Sequence, residues 1–455
     1  MTKMKHQALF TDLYELTMAA SYLEHGMIEP ACFSLFVRNY PPHRSYFVSA
    51  GLAEVIDYLD ALSFSPEDLE YLEKTRLFKS DFLSYLETFT FTGDVYAIPE
   101  GRLFFVNEPI LEVTAPMIEA QIIETFVINA INFQSMIATK ASRSFHAAQG
   151  RPLVDFALRR TQAADAGMKV ARASFIGGFI GTSNVLAGKQ FGIPIYGTMA
   201  HSFVTSFEKE IDAFRAYVRT FPANAVLLID TYDTLSGAQN AARVGQEMAR
   251  RGEILRGVRL DSGDMVKLSK EVREILIDAG LSSTQIFASG AFDEYKIQRV
   301  LNEEAEIDSF GVGTKMGVSA DAPYLDMAYK LVKYQGRPVL KLSPGKSTLT
   351  SDKQVFRFVS PDEHLEKDTI GLRDDDFEGA EPLLKKVMDT GNILFSSPSL
   401  PDIQKTFSSE FKKLEDNYKS LEGAENEFPI SLSPRLKKLQ RETIEKIKSV
   451  ELNRN

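Results

Sequence analysis

The sequence predicts an α/β protein built on a parallel sheet. Between about residues 152 and 314, six short apolar runs recur: "PLVDF", "IPIYGT", "AVLLIDT", "RGVRLDS", "QIFASG" and "DSFGVGT". Helical stretches separate them, as in the amphipathic "DMVKLSKEVREILIDAGL". Continuous apolar runs alternating with such helices are the pattern of parallel strands covered on both faces. Each run also carries a polar or glycine residue at or next to its end. Six units of this kind point to an α/β barrel or to a doubly wound sheet.

The flanking segments read differently. "TDLYELTMAASYLEH" (11–25) is a helix, with Thr11 or Asp12 available as its cap and no Pro or Gly inside it. "CFSLFVR" and "GDVYAIPEGRLFFVNEPILEVTAP" (93–116) are strand-like runs punctuated by Gly and Pro. A long helical pattern runs from about Ile118 to Ala148. The tail from about residue 375 is richer in charge, and "LSPRLKKLQRETIEKIKSV" reads as a surface helix.

At 455 residues the chain is long enough for two or three domains, and 44% hydrophobic with 25% charged residues is ordinary for a globular protein. The formal net charge of -10 argues against a general nucleic-acid binder or an anionic-membrane binder. A polyanionic ligand must therefore be held in a local pocket. Cys32 is the only cysteine, which excludes internal disulfides and fits a reducing compartment. No stretch approaches the ~18 apolar residues of a membrane span, and the N-terminus lacks a signal-like apolar region. The expected location is the cytoplasm.

The strand ends carry the functional signal. They are Asp155, Thr198, Asp230, Arg259 with Asp261, Ser289 with Gly290, and Gly313 with Thr314. In parallel α/β architectures the loops at these ends converge on the active site. Gly and Asp also start ordinary turns, so each alone has a structural explanation. Arg259 is different, because an arginine in a buried run requires an anionic partner, either Asp261 or a ligand carboxylate or phosphate. The glycines of "ASGAFDE" and "GVGTKM" present backbone amides suited to a phosphate. His201, in "YGTMAHSF", stands just past an apolar run and is one of six histidines.

Other motifs carry less. "SPGKST" lacks the first glycine of a Walker loop, since Leu340 stands there, and reads as a turn. "FIGGFIG" has no dinucleotide-binding register. "KASRSFH" (140–146) reads as a basic helix end answering the helix dipole, with pyrophosphate binding as the lesser alternative. No cluster has zinc spacing.

Taken in order, "TDLYELTMA", "DFALRR", "GTSNVLAGK", "YGTMAHSF", "GVRLDSGD", "ASGAFDE" and "FGVGTKM" closely resemble the nicotinate phosphoribosyltransferase family. The resemblance is strong from residue 11 to about 334. It continues weakly through "KLSPGKSTLTSDKQVFR" and "FPISLSPRLKKL". One departure is that Thr350 and Ser351 stand where the family usually has Pro-Gly. The resemblance implies an irregular seven-stranded α/β barrel with an N-terminal α+β domain. The expected boundaries are 1–150 for that domain with its connecting helix, 151–335 for the barrel, and 336–455 for a C-terminal segment packing back on the first. It implies that nicotinate and phosphoribosyl pyrophosphate give nicotinate mononucleotide and pyrophosphate, with coupled ATP hydrolysis and Mg²⁺ on the pyrophosphate.

By the same resemblance His201 accepts a phosphoryl group from ATP, a role an unprotonated imidazole can fill. Asp261 is the carboxylate near the ribose or metal. Gly290, Gly313 and Thr314 hold the 5′-phosphate. Thr198, Arg259 and Arg159 line the nicotinate pocket, and Phe156 and Tyr14 sandwich the ring. Tyr14 comes from the other subunit in relatives, implying a homodimer with shared sites. Nicotinamide-using relatives carry an aspartate where Ser183 stands, so the acid is the expected substrate. The alternatives are a nicotinamide- or quinolinate-using enzyme, a non-catalytic nucleotide-sensing relative, and a barrel lyase that forms a Schiff base through a lysine such as Lys315.

Overall fold

The computed structural model describes residues 8–343, 348–394 and 398–451. The chain divides into two units, Ile137–Pro323 and the combination of Met1–Met136 with Tyr324–Asn455.

The Ile137–Pro323 unit holds a six-stranded sheet. Its order is Gly181–Thr182, Leu153–Asp155, Ser309–Val312, Gln285–Ala288, Gly257–Leu260, Val226–Leu228. Every pairing is parallel. Five of the six apolar runs supply strands. The other, "IPIYGT", makes a single parallel bridge, Ile195 to Thr182. Pro194 has no amide to donate, so pairing stops after one step. The sixth strand comes instead from the end of "FIGGFIG" and the threonine that follows it. The expectation of a parallel α/β sheet thus holds, but one strand lies about a dozen residues upstream of its expected place.

Three helices that follow strands here start in the same way. Asp233, Asp264 and Asp293 are the N-caps of Thr234–Ala249, Met265–Asp278 and Glu294–Asn302, and each accepts a bond from an amide of the first turn. A cap of this kind contributes ~1 kcal/mol. These aspartates are therefore turn chemistry. The aspartates at the strand ends themselves, Asp155, Asp230 and Asp261, are left for other work.

The other unit contains a seven-stranded antiparallel sheet whose centre is Pro30–Val37, flanked by Met327–Tyr334 and Leu111–Pro116. The helix Leu13–Glu24 matches the expected one. The long helix expected from 118 to 148 is two helices, Met117–Ile122 and Glu124–Ala147, with a break at Ile123 that no Pro or Gly marks. A four-stranded sheet includes Lys353–Val359 and Leu365–Leu372. There the buried Arg357 forms a two-pronged bond to Asp368 and a third bond to Glu410. The helix Pro434–Glu451 is largely exposed, as its charge pattern implied.

Ser351 has φ of 64°. This left-handed backbone suits the glycine that the family usually carries there, and a side chain in it is strained by ~1 kcal/mol. The departure from Pro-Gly keeps the turn and accepts that strain. Residues 344–347 of "SPGKST" lie outside the described residues.

Candidate active site

Alternate residues of a strand share a face. The register aligns Leu228 with Arg259, and Arg259 with Phe287. One face of the sheet therefore rises through Gly257 to Arg259, and through Gln285 to Phe287. At its carboxyl edge Arg259, Asp261 and Ser289 come together.

Arg259 is nearly enclosed and its bonds are specific. Nε donates to Ser289 Oγ at 2.8 Å, and Nη1 donates to Thr198 Oγ1 at 3.0 Å and to the Met199 carbonyl at 3.2 Å. Nη2 donates to Asp261 Oδ1 at 2.7 Å. Four of the five guanidinium N–H groups are thus directed by protein, which fixes the plane of the group. The guanidinium carbon lies 5.6 Å from the centre of the Phe156 ring. Phe156 in turn packs on Phe287 at 5.5 Å. A β-carbon at Gly311 would lie 2.8 Å from the Phe156 ring and 2.9 Å from Phe287, so only glycine admits both rings.

Asp261 accepts from Arg259 and, at 2.5 Å, from Ser289 Oγ. Burial pushes its carboxyl up, but these bonds and the Arg259 charge outweigh burial and hold it below the ordinary aspartate value. Its backbone amide donates to Asp230 Oδ2 at 2.9 Å, and Ser262 Oγ donates to the same oxygen at 2.6 Å. The other oxygen, Asp230 Oδ1, is buried with no protein partner among the described residues. Asp230 is a site residue that the sequence reading placed at a strand end without giving it a role. Ser289 is another, and Thr231 was not singled out at all.

His201 is exposed and opens the short helix His201–Thr205. Its Nδ1 lies 3.2 Å from Thr231 Oγ1, in the loop that follows Asp230. The imidazole is thus at the same edge as Asp230 and Asp261, with its other ring nitrogen left to solvent or ligand. Ser183 follows the Gly181–Thr182 strand, and its amide donates to the Asp155 carbonyl at 2.8 Å. Arg159 is exposed on the single turn Leu158–Arg160 after Phe156.

Gly290 has φ of 94°, and a β-carbon there would sit 1.9 Å from the Asp261 carbonyl oxygen. No other residue fits. Among the described residues the amides of Gly290, Gly313 and Thr314 donate to no protein acceptor. Tyr14 belongs to the other unit, on Leu13–Glu24, and is half exposed. Burial and then the charges of Glu124 and Glu15 raise its phenol well above the ordinary tyrosine value.

"KASRSFH" does end a helix, Glu124–Ala147, but the helix dipole is not what answers its charge. Lys140 and Arg143 are both buried, and both donate to Glu294, at 2.8 and 3.1 Å. Lys140 also reaches Asp321 at 2.5 Å. Burial of two cations demands such partners, and these bonds fix the start of the Glu294–Asn302 helix beside Gly290.

Asp155 is buried, accepting from the Ala157 amide at 2.8 Å and from Thr182 Oγ1 at 2.7 Å. Burial pushes it up to about 6, against those two bonds. Because the folded value is above the unfolded one, the associated stability is full below about pH 4 and is lost as pH rises through 6. Wild type relative to Asp155→Asn should lose roughly 3 kcal/mol of unfolding free energy between pH 4 and 7. Denaturant melts of both proteins across that range check this, and parallel curves would rule it out.

The chain matches the nicotinate phosphoribosyltransferase (NAPRTase) N-terminal domain over residues 9–132. It matches the NAPRTase family over 152–363, and the C-terminal domain over 376–440. The chain belongs to the nicotinate phosphoribosyltransferase family. It is 46% identical over 432 residues to the nicotinate phosphoribosyltransferase pncB2 of Mycobacterium tuberculosis, covering 94% of this chain and 92% of that one. It is 38% identical to the Bacillus subtilis nicotinate phosphoribosyltransferase, covering 94% and 93%. The crystal structure of human nicotinic acid phosphoribosyltransferase superposes with a TM-score of 0.86 at 27% identity, covering 95% and 99%. The mixed α/β fold with its parallel sheet is thus that of the family. Among the described residues no group of three or more His, Cys, Asp or Glu side chains is placed to hold a metal by itself, and no helix is long and apolar enough to cross a membrane.

Proposed function

We infer that the protein transfers a phosphoribosyl group from phosphoribosyl pyrophosphate to nicotinate, with coupled ATP hydrolysis, as an entry step to NAD. The observation that carries this is the Arg259 guanidinium fixed 5.6 Å from the Phe156 ring. A cation held over an aromatic face makes a slot for a flat anion. Nicotinate is such an anion. Thr198 and Ser289 aim Arg259, while Arg159 and Ser183 add polar contacts at the slot.

Loss of pyrophosphate from ribose C1 builds positive charge on the sugar, so a nearby carboxylate lowers the barrier. Asp261, held ionised by its partners, is placed for this. Magnesium fits the same edge. It typically binds through one or two carboxylates together with substrate phosphates. Asp261 and the unpartnered Asp230 Oδ1 supply such oxygens. When bound, the metal would neutralise the leaving pyrophosphate. His201 takes the γ-phosphoryl group of ATP, forming an N–P bond as ADP leaves, and phospho-His201 then favours the productive complex until water releases phosphate. Gly290, Gly313 and Thr314 turn free amides toward the 5′-phosphate.

The bridge at Ile195 is read as the seventh strand of a barrel. Ile195 and Tyr196 at one edge and Val226 with Phe221 at the other line one cavity of about 710 Å³, which supports that reading. A Schiff-base lyase is disfavoured, since Lys315 Nζ is engaged by Asp293 at 2.6 Å. The protein is proposed to work in the cytoplasm.

The choice of base tests the reading. Nicotinate should be used with a kcat/KM at least 100-fold above nicotinamide or quinolinate. Ser183→Asp should cut nicotinate use by 10- to 100-fold and permit some nicotinamide use, because a desolvated like-charge contact costs several kcal/mol. Comparable use of acid and amide by the wild type would overturn it.

The homodimer reading puts Tyr14 of each subunit on the base in its partner's site. Mixing inactive Tyr14→Ala and Arg259→Ala proteins under subunit exchange should restore about a quarter of the activity, the share expected of random pairing. A fully active monomer by sedimentation would contradict shared sites.

A further inference from the structure

Two lysines converge beside Gly290 from different helices. Lys296, on Glu294–Asn302, donates to the Gly290 carbonyl at 2.7 Å, and its ammonium lies 4.3 Å from the centre of the Phe292 ring. Lys315, on Thr314–Gly317, donates to Asp293 Oδ2 at 2.6 Å. Asp293 is already committed through Oδ1 as the cap of the first helix. Burial lowers the Lys296 ammonium, and the charges of Arg299 and Lys315 press the same way, against Asp293 and Asp261. Asp293 is one carboxylate facing two ammonium groups, and half of the Lys315 side chain is open to solvent, so the pair has charge left for a further anion.

The loops beside these lysines carry the amides of Gly290, Gly313 and Thr314, which donate to no protein acceptor among the described residues. Amides orient a phosphate, but a phosphomonoester carries close to two charges. A chain of net charge -10 must balance them locally.

We propose that Lys296 and Lys315 are the counter-charges for the 5′-phosphate of the phosphoribosyl substrate. This rests on the reading of the Gly290 and Gly313 loops as the phosphate site. Lys296 reaches the anion from the Gly290 side, and Lys315 exchanges one of its donors from Asp293 to the phosphate. Neither touches the reacting carbon. Their effect is therefore on substrate affinity rather than on turnover.

The test uses Lys296→Met and Lys315→Met, which keep the aliphatic stems. Each should raise KM for phosphoribosyl pyrophosphate by about tenfold, with kcat within threefold and the thermal midpoint unchanged within a few degrees. The arginine variants should recover most of the affinity. Asp293→Asn retains the helix cap but removes the competing charge, so KM should stay equal or fall. Calorimetry with ribose 5-phosphate and with ribose gives a readout independent of turnover. Wild type should bind the phosphate ester, and both methionine variants should bind it at least tenfold more weakly. Unchanged ribose 5-phosphate binding in both variants would overturn the proposal. So would Asp293→Asn raising KM as much as Lys315→Met, the mark of a purely structural ion pair. A wild type that makes no nucleotide from nicotinate would sink the proposed reaction while leaving this binding test intact.

Discussion

Replacing Arg259 with Ala is expected to lower kcat/KM for nicotinate by at least 10³-fold, equivalent to about 4 kcal/mol of transition-state stabilisation. The guanidinium is the common partner of Ser289, Thr198, the Met199 carbonyl and Asp261. Removing it deletes the cation facing the nicotinate carboxylate. It also leaves Asp261 without its nearest positive charge, so that carboxyl shifts up toward and past the ordinary aspartate value. The base and the carboxylate near the ribose are then lost together. Arg259→Lys should recover little, because a single ammonium cannot keep four directed bonds. Steady-state rates with each substrate varied separate the two losses. A drop confined to KM for nicotinate, with kcat intact, would mean that Arg259 binds the base and does nothing for Asp261.

His201→Ala should abolish acid-labile labelling from γ-labelled ATP and the stimulation by ATP, while leaving some ATP-independent nucleotide formation. His201 is exposed and touches the fold through one bond to Thr231 Oγ1, so its removal spares the core. Thermal stability should stay within about 0.5 kcal/mol of wild type, the usual range for a surface change. Undiminished labelling of the variant would place the phosphoryl acceptor elsewhere. Asp230 is the natural second target, since its loop carries Thr231 and its carboxylate carries the Asp261 amide.

Much of this was legible in the chain because the physics is local. A run such as "AVLLIDT" declares a buried strand and its polar end in one stretch, and Arg259 in "RGVRLDS" demands an anion wherever the strand sits. The failures have a common cause, namely partners remote in sequence. Lys140 and Arg143 look like charges answering a helix dipole until Glu294, more than 150 positions away, is brought against them. Asp230 and Ser289 look like turn residues until neighbouring strands align them with Asp261. "IPIYGT" has the composition of a strand and makes one bridge, since whether an apolar run pairs fully depends on its neighbour and on Pro194. The Asp caps at 233 and 264 show the opposite case, in which local chemistry was the whole explanation.

The most direct measurement mixes the purified protein with nicotinate, phosphoribosyl pyrophosphate and Mg²⁺, with and without ATP, and follows nicotinate mononucleotide, pyrophosphate and ADP together. The expected result is mononucleotide and pyrophosphate in equal amounts, formed slowly without ATP and faster, with ADP appearing, when ATP is present. Absence of mononucleotide under both conditions, or mononucleotide at a rate that ATP does not change and without ADP, would contradict the account.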